Sequence, residues 1–161
     1  MKKIFMILMC TTMLLGCMDK EVDISKKQIR NGIVYEVNQD KSFTGKFIAK
    51  YDNGQLKVSE EYIDGLANGT QISYYKNGQT KEELKYENGK PIGEYLSYYE
   101  NGNIFCQGNY LDGKKDGIWK VYNENNKLIL TQTYKNGNLE DVKQYLIDVQ
   151  SLQKELKNIF N

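Results

Sequence analysis

From residue 45 to residue 140 the chain is a succession of short segments rich in Tyr, Ile, Leu and Thr, cut about every dozen residues by a pair of turn-forming residues. In the second segment of each repeating unit one parity carries Leu56-Val58-Tyr62, Ile104-Cys106-Tyr110 and Leu128-Leu130-Tyr134. The other parity carries Lys57-Ser59-Glu61 and Lys81-Glu83-Lys85, with Phe105 weakening the pattern in the third copy and Thr80 and Glu82 in the second. A period of two predicts β-strands with one buried face and one wet face. The punctuation is equally regular. Asn53-Gly54, Asn77-Gly78, Asn101-Gly102 and Asn125-Asn126 form one set, and Asp64-Gly65, Asn88-Gly89, Asp112-Gly113 and Asn136-Gly137 the other. Such pairs tolerate the positive φ that type I′ hairpin turns demand. Strands joined by tight turns predict an antiparallel meander.

The meander is periodic. Gly45, Gly69, Gly93 and Gly117 recur every 24 residues, as do Tyr62, Tyr86, Tyr110 and Tyr134, which divides the segment into units 45–68, 69–92, 93–116 and 117–140. Gly54, Gly65, Gly78, Gly89, Gly102, Gly113 and Gly137 are the predicted structural turn residues. Each hairpin advances a stack by about 10 Å, so the fold predicted is mainly β: an elongated ribbon of tandem 24-residue hairpins. Residues 31–44, with Ile33-Val34-Tyr35-Glu36-Val37 alternating, lie outside this register and are expected to form a degenerate N-terminal strand cap.

Periodicity changes after Asn138. Leu139, Val142, Leu146, Val149, Leu152, Leu156 and Ile159 step by three or four, with Tyr145 and Phe160 beside them. This predicts an amphipathic C-terminal helix of about 20 residues over 141–161. Asn138 suits its N-cap, Glu140 and Asp141 its first turn, and Lys154 and Lys157 its end. Its apolar stripe either covers the sheet face or the last strand's edge, or is presented to a partner.

A Gly followed by an aromatic, Tyr-rich residues, Asn-Gly, a Tyr, a Gly-Lys turn and a closing Gly is seen in Gly93-Glu94-Tyr95, Tyr98-Tyr99-Glu100-Asn101-Gly102, Tyr110, Asp112-Gly113-Lys114 and Gly117. This pattern resembles the MORN repeat in its bacterial variant, over residues 45–141. Gln71 stands where that pattern has the aromatic, and Asn126 where it has Gly. The resemblance implies a repeat-based interaction protein. Its bacterial members are often labelled antitoxins, which implies a neutraliser of a cognate toxin as an alternative, and eukaryotic members imply phospholipid binding as another. The lipid-kinase label some members carry has no kinase motif behind it here.

Ahead of the ribbon, residues 1–16 have the form of an export signal: Lys2 and Lys3, then a largely apolar run from Ile4 to Leu15 that is too short to span a bilayer. It ends in Leu14-Leu15-Gly16-Cys17, which resembles the lipobox of bacterial lipoproteins and implies cleavage between Gly16 and Cys17 with a diacylglycerol, and palmitate-type acylation, on the Cys17 sulfur. Two or more acyl chains make such attachment stable. The charged stretch through Arg30 is then expected to be a tether, giving 17–30 as lipidated Cys and spacer. The expected location is a lipid-anchored position at the cell envelope, on the inner or the outer membrane.

Composition argues chiefly by exclusion. The chain has 22 basic and 21 acidic residues, which implies no nucleic-acid partner. With no His, the commonest metal ligand and proton-transfer group is missing. Cys10 and Cys17 belong to the leader, so only Cys106 remains as an ordinary thiol, and its apolar column marks it as a small hydrophobe rather than a nucleophile. Asp52, Asp64, Asp112 and Asp116 sit at turns, where local hydrogen bonding explains them. No enzyme, metal or cofactor is expected. Among the 13 tyrosines, Tyr74, Tyr75, Tyr98, Tyr99 and Tyr122 form a candidate surface for a protein or an envelope polymer such as a glycan, with strand filling as the plainer alternative. Replacing Cys17 by Ser is expected to abolish metabolic labelling of the protein with a radiolabelled fatty acid; label retained by the variant would remove the anchor.

Overall fold

A computed structural model of the protein describes residues 20–145. The strands are β1 (Glu21–Asp23), β2 (Lys27–Arg30), β3 (Ile33–Glu36), β4 (Gly45–Lys50), β5 (Leu56–Ile63), β6 (Leu66–Ala67), β7 (Gly69–Tyr74), β8 (Thr80–Glu87), β9 (Lys90–Tyr98), β10 (Ile104–Leu111), β11 (Lys114–Tyr122), β12 (Leu128–Lys135) and β13 (Asn138–Gln144). From β4 onward consecutive hairpins pair antiparallel into one sheet, with β6 a short side pairing on β5, and β1 lies parallel to β4 at the sheet's start. β2 and β3 form a separate hairpin.

The two sets of turns are built differently. At Asp64-Gly65, Asn88-Gly89, Asp112-Gly113 and Asn136-Gly137 both residues have positive φ, as type I′ turns require. At the other edge only Gly54, Gly78, Gly102 and Asn126 do, which is the pattern of a type I turn closed by a left-handed residue and a bulge. These bulges correct the predicted faces. Val58 pairs with Ala49 and Leu56 with Lys50, so one residue is inserted between them and Leu56 falls on the opposite face from Val58. Ile104 and Leu128, paired with Tyr98 and Tyr122, are displaced in the same way.

Neighbouring units are joined by a bonding ladder with a 23-residue step. The phenols of Tyr51, Tyr75 and Tyr99 donate to the carbonyls of Tyr74, Tyr98 and Tyr122 at 2.7, 2.7 and 2.9 Å. Asn53, Asn77 and Asn101 side-chain amides donate to the carbonyls of Lys76, Glu100 and Glu124 at 3.1, 3.0 and 3.1 Å. In the fourth unit Asn123 replaces the ladder tyrosine and instead accepts from the backbone of Asn125 and Lys127 in its own turn.

Two expectations are corrected at the ends. The segment Asn138–Gln144, assigned above to the start of a helix, is strand β13, pairing Asn138 with Lys135 and Val142 with Gln132. Asn136 and Gly137 at φ 52° and 86° reverse the chain onto the open edge of β12, and satisfying that edge overrides the three-and-four spacing. The rest of the predicted helix lies outside the described residues, as do the leader, Gly16 and Cys17. At the other end, residues 21–30, expected to be a solvated tether, fold as β1, a 3-10 turn (Ile24–Lys26) and β2. Val22 pairs with Phe47, and the charges are held by ion pairs, Lys20 to Glu36 at 2.6 Å and Lys27 to Glu60 at 2.5 Å. With Val34, Phe43, Phe47 and Tyr62, Val22 forms the core that closes the first unit.

A second packed cluster lies in units three and four. Tyr95 and Trp119 stack with centroids 5.1 Å apart, and Tyr110 meets the indole edge-on at 5.1 Å. Their rings cross the strand carrying Gly108, where an added Cβ would lie 2.2 Å from Trp119. Gly108→Ala is therefore expected to cost about 1 to 3 kcal/mol of stability through overpacking and to shift the emission of the single Trp to the red, readable by denaturant unfolding followed by fluorescence.

Candidate interaction surface

One face of the sheet carries two columns of side chains in 24-residue register. The first runs Phe47, Gln71, Tyr95, Trp119, and the second Tyr62, Tyr86, Tyr110, Tyr134. Strand pairing places them together: Tyr95 opposite Gly108 on one side and Leu84 on the other, and Gly93 opposite Tyr110. Phe47 and Trp119 are essentially sealed, at 0% and 2% exposure, whereas Tyr86, Tyr110 and Tyr134 remain partly exposed.

Gln71 interrupts the first column. A cavity of about 170 Å³ opens beside it, lined by Val58, Glu60, Ser73, Glu82, Leu84 and Tyr86. The Ser73 hydroxyl oxygen is buried there without a hydrogen-bond partner. Glu60 accepts from Lys27 Nζ at 2.5 Å and from the Tyr62 phenol at 2.9 Å. Burial works against the charge of Lys27, yet its bonds to Glu60 and Tyr62 carry its pKa above the ordinary lysine value. Glu82 is exposed and forms no ion pair among the described residues.

Tyr86, Tyr95 and Tyr110 on this face resist ionisation. Burial pushes Tyr86 up, with Glu82 and Glu60 adding their negative charge. Burial also pushes Tyr95 up to about 12; a hydrogen bond with Ser97 acts the other way, and Glu82 adds to the rise. Tyr110 is raised by burial first and then by neighbouring phenols and Glu82. A face of ring surfaces under a negative field attracts cations, and two are already present. Lys27 Nζ lies 5.4 Å from the Tyr62 ring centre, and Lys115 Nζ lies 4.1 Å from that of Trp119 and 5.0 Å from that of Tyr134.

The tyrosines singled out from sequence lie elsewhere. Tyr75 and Tyr99 sit at the bulged-turn edge with their hydroxyls committed to the inter-unit ladder, Lys81 5.8 Å above the Tyr75 ring and Phe105 edge-on to Tyr99 at 5.2 Å. Tyr74, Tyr98 and Tyr122 supply the ladder's accepting carbonyls, and their side chains follow Tyr74–Thr80, Tyr98–Ile104 and Tyr122–Leu128 pairing onto the face opposite the aromatic columns. The seven turn glycines all occupy positive-φ turn positions. Cys106 is half-buried opposite Ser97, and burial raises its thiol pKa, with Lys115 opposing. Sequence reading missed Glu60, Glu82 and Tyr86 as neighbours around one cavity. The legible signal was Gln71, the one departure in an aromatic column.

A family model described as MORN repeat variant matches residues 43–64, 67–88, 91–112 and 115–136, each window opening two residues before the glycine that begins a unit. No curated protein matches the chain. Among solved structures, a chain of the GtfA/B complex bound to UDP and GlcNAc is similar at 14% identity, covering 78% of this chain and 28% of that one, with a TM-score of 0.28.

Raised phenol pKa values fix the alkaline behaviour. For Tyr95 the unfolded value of 10.0 lies below the folded value of about 12, so its contribution is complete below pH 10 and is lost as pH rises through 12. The denaturant midpoint is expected to fall across that window in step with phenolate absorbance, and Tyr95→Phe is expected to remove part of the slope. A midpoint flat from 10 to 12 would show these rings to be freely solvated.

Proposed function

We propose, because this chain belongs to the MORN repeat variant family, that it is a non-catalytic interaction module that holds a partner protein on its aromatic face. The carrying observation is the tyrosine column of that face: Tyr86, Tyr110 and Tyr134 recur at one repeat spacing on a single sheet, their rings partly exposed, and burial raises the phenol pKa of Tyr86 and Tyr110. Tyr offers a large, rigid, amphipathic contact surface at small entropic cost, and repetition extends it along the ribbon. Cys17 supplies a lipid anchor in this reading, placing the module at the membrane surface of the cell envelope. The molecules that would occupy the face under the alternative readings are a cognate toxin, an anionic phospholipid or an envelope glycan.

The test is capture with the full-length tagged protein, extracted from membranes in detergent, compared with its Tyr86→Ala/Tyr110→Ala variant. A protein retained by the wild type and lost from the variant, with folding of the variant verified by a cooperative thermal transition in far-UV circular dichroism, is the expected result. A toxin identified in that position would specify the partner as one that the chain neutralises. Retention of the same proteins by both chains, or binding only to phospholipid vesicles or glycan, would overturn the reading.

A further inference from the structure

Resting on that reading, we propose that the cavity beside Gln71 receives a basic side chain, a lysine or an arginine, of the partner protein. Three observations converge on it. The first is shape. At the other three positions of the column an aromatic ring covers the sheet, and Phe47 and Trp119 are sealed by their neighbours. Gln is shorter than any of these, and a cavity of about 170 Å³ remains where the ring would lie. Val58, Leu84 and the Tyr86 ring give it apolar walls suited to a methylene stem, since long basic side chains bury the stem and keep the charged head beside polar atoms.

The second observation is charge. Glu60 and Glu82 both line the cavity, and Glu60 already has Lys27, whereas Glu82 has no ion pair among the described residues. Ser73 adds a buried hydroxyl oxygen with no partner, available to accept from an N–H donor. The third is precedent on the same face. Lys27 reaches across from β2 to lie over Tyr62 while bonding Glu60, and Lys115 lies over Trp119 and Tyr134. Tyr62 and Tyr134 thus each have an ammonium over the ring; among the described residues Tyr86 and Tyr110, between them in the column, have none, and of these two Tyr86 lines the cavity together with Glu82. A lysine or arginine from outside extends the series to Tyr86. An organic cation suits this lining better than a metal ion, because among the described residues no three His, Cys, Asp or Glu side chains converge.

The test titrates the full-length protein with Nα-acetyl-lysine methylamide, its arginine counterpart and the uncharged norleucine counterpart, following side-chain NMR signals of Tyr86 and Glu82. Saturable shifts with lysine or arginine and none with norleucine are expected. Glu82→Gln is expected to weaken binding by up to about fivefold, as loss of a partly exposed charge pair implies. Gln71→Tyr restores the ring of the other units, so it should abolish probe binding while leaving the thermal midpoint equal or higher; a variant that unfolds is replaced by Ser73→Val, which keeps the strand and removes the acceptor. An equal response to norleucine, or unimpaired lysine binding by a folded Gln71→Tyr protein, would overturn the proposal. Excess lysine probe should also release the captured partner from the wild type. A partner that depends on Tyr86 and Tyr110 yet stays bound in excess probe would overturn this inference and leave the interaction module standing.

Discussion

The structure depends on the inability of a single two-stranded hairpin to hold itself together in water. Each 24-residue unit buries too little to fold alone, so cohesion comes from bonds made to the next unit. The tyrosine and asparagine ladder does this along one edge, with phenols and amides donating to carbonyls 23 residues away. At the opposite edge the amides of Gly89, Gly113 and Gly137 donate to Ala67, Pro91 and Lys115 in the preceding hairpin. Each such bond contributes about 1 kcal/mol net, but their value lies in position. They tie the turns, the places where a sheet would fray first, and along each edge they do so at a constant step from one unit to the next.

A stack of this kind has ends, and the first is closed by different chemistry. β1 lies parallel on β4, covering an edge that an antiparallel hairpin left open, and the β2–β3 hairpin brings Val34 against Phe43 and Phe47. The Val34 amide bonds Gly65 and the Phe43 amide bonds Val34, so the cap is part of the first unit rather than a flanking arm. An ion pair then attaches the cap to the sheet, Lys27 to Glu60.

Between this capped core and the Tyr95–Tyr110–Trp119 cluster lies the second unit, where repeat regularity is relaxed. Gln71 withholds the ring, Leu84 stands where the next unit has Gly108, and Glu82 takes a place held by Val58, Cys106 and Leu130 in the other units. The substitutions fall around one cavity, and the negative field they create is felt by the surrounding phenols. An interaction module built from near-identical units acquires a distinctive spot where one unit departs from the rest. That departure does not disturb the ladder, because Tyr75 and Asn77 of the same unit keep their bonds.

The sequence by itself determined the period, the turn positions and the meander, because Asn-Gly and Asp-Gly conformations, strand alternation and glycine spacing are local properties that any chain segment carries with it. The aromatic break at Gln71 was visible for the same reason. Tertiary structure decided which side each residue faces beyond a bulge, as with Leu56 and Ile104, since one inserted residue inverts parity and only pairing with the neighbouring strand places it. It also decided the ends. The charges of residues 21–30 read as solvent-seeking and the spacing of Leu139 and Val142 as helical, yet both segments lie beside open strand edges whose unpaired backbone groups bind whatever chain is delivered to them. Availability of such an edge is a property of the folded sheet, and no local pattern encodes it.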